Sequence, residues 1–267
     1  VAPDHAPPTD PTYPLRVMLC DSCYLVQHDA VIDPATIFSG DYVYFPSVSQ
    51  KFVEHAKRYV DDMVARFDLG AAHRVVEIGS NDGYLLQHFR PHGVVTLGIE
   101  PSGSVAEAAR AKGVPTETRF FNLETADWLV ATGQTADLVA ANNVLAHIPA
   151  IGEVYHGVRR ILRPGGVFTV EFPHLLTLVE NNEFDTIYHE HYFYYSLLAI
   201  DKIFERTGLR LFDVETLDTH GGSLRIFACR DDDPRPAVAE RLEPLRAAER
   251  DAALDDARGY TGLAARV

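Results

Sequence analysis

From residue 74 to residue 230, short apolar runs alternate with stretches whose apolar positions recur every three to four residues. RVVEIG (74–79), VVTLGIE (94–100), ADLVAANNVL (136–145) and VFTVEF (167–172) have the length and apolar continuity of buried strands. YLLQHF (84–89), SVAEAARAKG (104–113), EVYHGVRRILRPGG (153–166) and IDKIFERTGL (200–209) carry helical spacing, two of them running into glycine. Strand then helix, repeated at this interval, predicts a parallel α/β sheet covered on both faces. LFDVETLD (211–218) and SLRIFACR (223–230) are two further strands joined by the short THGG. That link suits an antiparallel hairpin, because a parallel crossover needs a dozen residues or more.

Ahead of this unit, SQKFVEHAKRYVDDMVARF (49–67) places Phe52, Ala56, Tyr59, Val60 and Met63 on one helical face, with Ser49 as a cap. LRVMLCDSCYLVQH (15–28) has two short apolar runs around a Cys-x-x-Cys and predicts a hairpin. Residues 1–14 are proline-rich and predict an extended lead-in. Residues 231–267 open with DDDPRP and continue as a charged, Ala-rich helix with few core positions. The expected organisation is therefore an N-terminal segment (1–48), a main α/β domain (49–230) and a linker helix (231–267).

The chain has 267 residues, 46% hydrophobic and 23% charged, ample to bury a core. A net charge of −14 argues against nucleic-acid or membrane-surface binding, so an anionic substrate needs a local basic pocket. No apolar run approaches the roughly 18–20 residues of a membrane helix, and residues 1–14 lack a signal-peptide core. Three cysteines are too few for a disulfide scaffold, and a cytoplasmic protein is expected.

Ligands of open parallel sheets sit at the carboxyl ends of the strands. There, VVEIGSNDGYLL (75–86) offers a turn with Gly79 and Gly83, and glycine lets backbone approach a ligand. Ser80, Asn81 and Asp82 fill the interval, so the turn is not the GxGxxG of a pyrophosphate cradle, and Asp82 would repel phosphate. The next strand ends in Glu100, followed by Pro101, at the distance where a carboxylate binds ribose hydroxyls. A nucleoside without phosphates fits, and S-adenosylmethionine is one, its sulfonium compatible with Glu77 and Asp82. An ordinary strand-to-helix turn with a surface Glu is the plainer alternative. Asn122, in NLETADW (122–128), stands where a side chain could contact adenine. Asn142 and Asn143, disfavoured in strands, serve either a turn or a ligand.

VVEIGSNDGYLL, NNVLAHI, LRPGG, EFPHLL, EFDTIYHEH and THGGSLRIF, in this order, resemble the S-adenosylmethionine-dependent C-methyltransferases that act on nucleotide-linked 4-ketodeoxysugars in antibiotic biosynthesis. The likeness covers most of residues 15–230, and EFDTIYHEH with THGGSLR is its specific part. It implies an α/β, Rossmann-like class I methyltransferase fold: a mostly parallel sheet with an antiparallel hairpin at its end, plus a small N-terminal zinc-module remnant. It also implies S-adenosylmethionine as cofactor and a nucleotide-linked ketosugar as partner. The family carries two Cys-x-x-Cys pairs and continues beyond residue 267. Here Cys20 and Cys23 supply half of the four ligands that structural zinc requires, so a fragment clipped at both ends, or a shortened relative, is expected.

YHEHYFYYS (188–196) gathers titratable and aromatic groups. C-methylation beside a ketone needs a base that titrates near neutrality to form an enolate, and a donor to steady the enolate oxygen. Histidine suits the first task, and tyrosine hydroxyl or protonated histidine the second. The resemblance places the base on His191, with Glu190 and Tyr188 beside it, the carboxylate orienting the imidazole. From NNVLAHI it carries over His147, and from SGDYVYF Tyr42, both toward the ketone oxygen. His220, Gly221 and Gly222 of THGGSLR would shape the sugar pocket, with Arg225 as a diphosphate partner. His189 has the ordinary reading of a loop-satisfying histidine, and Tyr192, Phe193, Tyr194 and Tyr195 that of core and pocket wall. A metal site at His189, Glu190 and His191 is disfavoured, because adjacent side chains diverge. O- or N-methylation of a small molecule, and a non-catalytic S-adenosylmethionine-binding module, are the alternatives.

Overall fold

The computed structural model describes residues 13–29, 32–38 and 44–266. The Cys-x-x-Cys hairpin forms from β1 (Val17–Leu19) and β2 (Val26–His28), followed by the single turn α1 (Pro34–Ile37). Helix α2 (Gln50–Phe67) buries Ala56, Tyr59, Val60 and Met63, the face that the spacing predicts. Ser49 holds the cap position, but its hydroxyl accepts no bond from the first-turn N–H groups; the far end closes on Asp68 in a left-handed conformation. β3 (Arg74–Ile78), β4 (Val95–Ile99), α3 (Gly103–Ala111), β5 (Thr116–Glu117), α4 (Leu123–Ala131), β6 (Ala136–Asn142), α5 (Ile151–Ile161) and β7 (Leu162–Pro173) follow. Then come α6 (Leu175–Asn181), β8 (Phe193–Tyr194), α7 (Leu197–Thr207), β9 (Leu209–Leu217), β10 (Ser223–Arg230), α8 (Ala239–Asp251) and α9 (Leu263–Arg266).

Seven strands form the main sheet in the order β5-β4-β3-β6-β7-β10-β9. β5, β4, β3, β6 and β7 are parallel, and β10 runs antiparallel to both β7 and β9, as the short THGG link requires. Successive strand residues point to opposite faces. In β3, Val76 and Ile78 join the core under α4, α5 and α7, while Val75 joins the core under α2 and α3. Glu77 alternates onto the α2 face, as do Thr169 and Glu171 of β7 and Arg225 of β10, so four polar side chains gather between α2 and the sheet. The Tyr59 hydroxyl bonds Thr169 Oγ1 there.

Three segments depart from expectation. The helix expected over 153–166 ends at Ile161, and LRPGG opens β7 instead, because Pro164 and the left-handed Gly165 (φ 78°) cannot continue a helix. Residues 84–89, expected as a helix, lie in a turn leading to a 3-10 segment at Leu86–His92. Pro91 has no N–H to continue an α-helix, and Gly93 turns left-handed (φ 70°) to start β4. The expected strand 136–145 stops at Asn142, because Asn143 turns left-handed at φ 55°. Residues 231–267 have few core positions, as expected, yet Leu242, Glu249 and Leu254 are completely buried and dock the segment on the domain.

A second, three-stranded sheet pairs β1 with β2 and β2 with β8, so the FY of YHEHYFYYS extends the Cys-x-x-Cys hairpin. Tyr192, Phe193, Tyr194 and Tyr195 are all buried. Together with the Tyr192 N–H bond to the Ala146 carbonyl (2.8 Å), this fixes where His191 stands relative to NNVLAHI.

Candidate active site

The glycine turn leaves β3 with Gly79 and Gly83 at φ 65° and 76°. A Cβ on Gly79 would sit 2.4 Å from Val144 Cγ2, so the turn can lie against NNVLAHI only as glycine. Gly79 N and Ser80 N both bond the Ile99 carbonyl, holding the turn over the end of β4. Ser80 tucks inward beside Gly98, where a Cβ would lie 2.2 Å from its Oγ. The Glu100 carboxylate accepts Asn81 N (3.0 Å) and Ser102 N (2.9 Å); Pro101, which has no N–H, is passed over. Each carboxylate oxygen keeps a free lone pair after these bonds.

Three acids line this crevice. Glu77 is 1% exposed, and its Oε2 meets no partner among the described residues. Burial first, then the Glu100 and Asp82 charges, push its carboxyl well above the usual range. Such a group answers to a cation. Asp82 is engaged otherwise: Lys112 Nζ reaches its Oδ2 at 2.7 Å and Ser47 donates to the same oxygen, although Oδ1 stays buried and unpartnered. Glu77 is therefore the acid held toward its neutral form until a positive charge arrives beside it. Asn142 and Asn143 end β6 at the same rim, each with a buried, unpartnered Oδ1. Asn122 acts as the cap of α4, its Oδ1 accepting Thr125 N at 2.9 Å. These orphaned oxygens, with Glu100, fit a cationic nucleoside such as S-adenosylmethionine.

Beside the crevice stands a pair of histidines. His191 Nδ1 lies 2.9 Å from the Thr186 carbonyl, which can only accept, so Nδ1 carries the proton. Nε2 thereby keeps its lone pair and accepts from the Tyr188 hydroxyl at 2.9 Å. The group that orients the ring is the Thr186 carbonyl, where the Glu190 carboxylate was expected. Burial holds the His191 imidazole below the ordinary histidine range, partly offset by the Thr186 bond. The ring of His147 stands 4.8 Å away, centroid to centroid. Burial, then His191, lower its pKa to about 4, and its Nδ1 has no partner among the described residues. His189 satisfies a loop, its Nε2 lying 3.1 Å from the Tyr13 carbonyl.

The THGG loop approaches from the other side. His220 sits left-handed at φ 51°, its ring 5.9 Å from that of Phe52, with burial lowering its pKa. Gly221 and Gly222 have φ 78° and 146°; Cβ atoms there would strike the Glu183 carboxylate at 2.3 Å and Thr177 Cγ2 at 2.7 Å. Arg225 is not available to a diphosphate. It is 4% exposed, and its fork binds Glu171 (2.7 Å) and Glu215 (3.1 Å) over the Tyr59 ring. The strand period turns it beneath the sheet, where it and His55 keep the buried Glu171 ionised.

Tyr42 lies outside the described residues. Tyr44, two positions on, is the residue that the sequence reading passes over. Partial burial and the Asp82 charge raise the phenol of Tyr44, whose side chain is half exposed, and Tyr44 in turn helps raise that of Tyr188. SGDYVYF carries a second tyrosine at position 44, and that was the available signal. Glu171, a lone carboxylate inside VFTVEF, carried a similar signal.

Cys20 and Cys23 occupy the β1–β2 turn as free thiols. The Ser22 backbone bond lowers Cys20, while burial raises Cys23. Among the described residues no group of three or more His, Cys, Asp or Glu is placed to share a metal ion, so the residues present do not make a zinc site. No described helix is long and apolar enough to cross a membrane.

Residues 52–214 match the family described as a methyltransferase domain, and residues 218–267 match the C-methyltransferase C-terminal domain. The C-methyltransferase NovU of Streptomyces niveus is 41% identical over 237 residues, 88% of this chain; the chain spans 56% of that relative's length. The trans-aconitate 2-methyltransferase of Delftia acidovorans is 31% identical over 136 residues, 48% of each chain. Magnesium protoporphyrin IX methyltransferase (ChlM) from Synechocystis PCC 6803, solved with bound SAH, has a TM-score of 0.52 at 17% identity and covers 73% of this chain and 91% of its own; this likeness concerns the fold. The domain match runs from α2 to β9 and so takes in the glycine turn, Glu100 and the histidine pair, and the chain belongs to the S-adenosylmethionine-dependent C-methyltransferase family.

Proposed function

We propose that this chain carries the methyl-transfer centre for C-methylation of a nucleotide-linked 4-ketodeoxysugar, at C3 beside the ketone. The cofactor is S-adenosylmethionine, which supplies an electrophilic methyl group on a sulfonium. Glu77 answers its positive charge, Glu100 accepts from the ribose hydroxyls, and the Gly79–Gly83 turn gives backbone access. Asn142 and Asn143 offer acceptor oxygens at the rim.

The observation that carries the reading is the state of His191. Its Nδ1 proton is fixed on the Thr186 carbonyl and its Nε2 lone pair is presented beside Tyr188 and His147. Burial keeps the ring neutral at physiological pH. A neutral imidazole with a fixed tautomer is ready to remove the C3 proton. Tyr188, whose O–H lies 2.9 Å from Nε2, turns that hydrogen to the ketone oxygen first, which frees the lone pair to take the C3 proton and leaves the hydroxyl in place to steady the enolate oxygen. His147, 4.8 Å from His191 between ring centroids, is a second polar group beside the ketone. Tyr44 adds a phenol from the N-terminal segment, and Tyr42 is assigned to the ketone oxygen by the family resemblance. The carbon in the name of the Streptomyces niveus relative supports an enolate route over transfer to oxygen or nitrogen.

The test is mass spectrometry of a thymidine-diphosphate 4-keto-2,6-dideoxysugar incubated with the chain and S-adenosylmethionine. Gain of one methyl, located at C3 by NMR, is expected. His191→Asn keeps an N–H for Thr186 but removes the base. It should lower kcat by about 10²–10⁴-fold, with S-adenosylhomocysteine affinity retained. A methyl found on oxygen, or full turnover by His191→Asn, would sink the reading.

A further inference from the structure

The EFPHLL stretch carries a histidine that this chemistry does not use. His174, 4% exposed, has its Nε2 2.8 Å from Oε1 of Glu249, a carboxylate with no exposed surface. Glu249 comes from α8, in the segment whose composition predicts a linker. The same carboxylate accepts the first two N–H groups of α7: Leu197 N on Oε1 at 2.7 Å and Leu198 N on Oε2 at 2.9 Å. Ser196 Oγ accepts from Ala199 N. The leading N–H groups of a helix have no partners of their own, and the helix dipole favours an anion there, so α8 supplies the cap that α7 needs.

Three histidine-bearing loops converge on this pair. The His174 N–H bonds the Gly222 carbonyl (3.0 Å), next to His220. Leu175 N bonds the Tyr195 carbonyl (3.0 Å), four residues beyond His191, and His174 and Tyr195 are bridged as adjacent strands. Tyr195 in turn donates its hydroxyl to the Leu145 carbonyl (3.1 Å), and Tyr192 N bonds the Ala146 carbonyl (2.8 Å), which brings in the loop of His147. Leu254, just after α8, packs with Tyr194, Leu175 and Val26 in a small core of its own. A buried polar pair contributes little net stability against an apolar replacement, but its directional bonds admit one arrangement of the groups around it.

We infer that His174 and Glu249 are positioning residues: the pair sets the mutual placement of the loops bearing His147, His191 and His220, and so makes the C-terminal helix part of the apparatus for turnover. Its effect on turnover rests on the reading of His191 given above; its effect on the loops does not.

The full chain carrying His174→Leu, His174→Gln or Glu249→Gln decides it, by amide hydrogen exchange and steady-state kinetics. A glutamine at 249 must turn its NH2 against one α7 N–H whichever way it faces. His174→Leu leaves both α7 caps intact, so it remains informative if Glu249→Gln does not fold. In His174→Leu, exchange should rise by about tenfold at 145–148 and 220–223 as well as at 192–196, since each loop is freed to open locally. kcat should fall about tenfold while KM for the sugar and S-adenosylhomocysteine affinity stay within about twofold. His174→Gln keeps an N–H donor for Glu249 and should recover most of the loss. Exchange that changes only at the start of α7, or equal behaviour of the leucine and glutamine variants, would overturn the inference. A parent chain with no turnover on the sugar would refute the functional reading, while the exchange pattern still decides the positioning pair.

Discussion

At the scale of single residues, the site gathers groups held away from their ordinary charge. His147 titrates at about 4 in the folded chain, chiefly because burial disfavours the imidazolium, against about 6.5 when unfolded. Between those two values the unfolded chain binds a proton that the folded chain refuses. Stability is therefore fully present above about pH 6.5 and falls as pH drops toward 4, by on the order of 3 kcal/mol from this residue. His191, lowered in the same direction, adds to the loss. Urea midpoints compared at pH 7 and pH 4.5 check this: the parent should lose more stability over the interval than His147→Gln, and equal losses would mean the ring is not shielded. Activity should fall in the same direction, because the base must be unprotonated. None of this was written in the residue types. NNVLAHI places a histidine at the rim, but its depth comes from Phe38 and the His191 loop, which are remote in sequence.

Among the elements, what was legible is what a local pattern specifies. SLRIFACR forms β10 at the predicted boundaries, the α2 stripe buries the predicted face, and the THGG link makes an antiparallel pair. The segments misread are those in which one residue overrides the pattern, as Pro91 does after Leu86 and as Asn143 does at the end of β6. Arg225 is an error of a different kind. Its presence in THGGSLR was legible, but its partner Glu171 lies 54 residues earlier, and only the β7–β10 register brings the two together. The consequence is testable. Arg225→Met leaves Glu171 buried with His55 alone and should destabilise the fold by about 3–5 kcal/mol, read from denaturant unfolding. KM for the nucleotide sugar should stay unchanged in the folded fraction. A raised KM with parental stability would restore Arg225 to the diphosphate.

For the whole molecule, the α/β class and the parallel order were legible because strand and helix periods alternate over some 150 residues. The convergence of β8 with the Cys-x-x-Cys hairpin, and of α8 with α7, was not, since no periodicity encodes which distant elements meet. Charge, by contrast, can be read without any contact map, and it makes a prediction of its own. A net charge of −14 repels an anionic nucleotide sugar and attracts a cationic cofactor. Glu77, buried and held toward its neutral form, ionises when a cation binds beside it, which adds to the second effect locally. Arg225, the expected basic landing point, is neutralised by Glu171 and Glu215. Salt should therefore act oppositely on the two ligands. Raising ionic strength from about 0.01 M to about 0.3 M shortens the screening length from roughly 30 Å to under 10 Å. kcat/KM for the sugar nucleotide should rise a few-fold over that range, and S-adenosylmethionine affinity, followed by calorimetry, should weaken. If both fell together, the sugar nucleotide would be drawn in by positive charge, and a basic surface not yet identified in this chain would have to supply it.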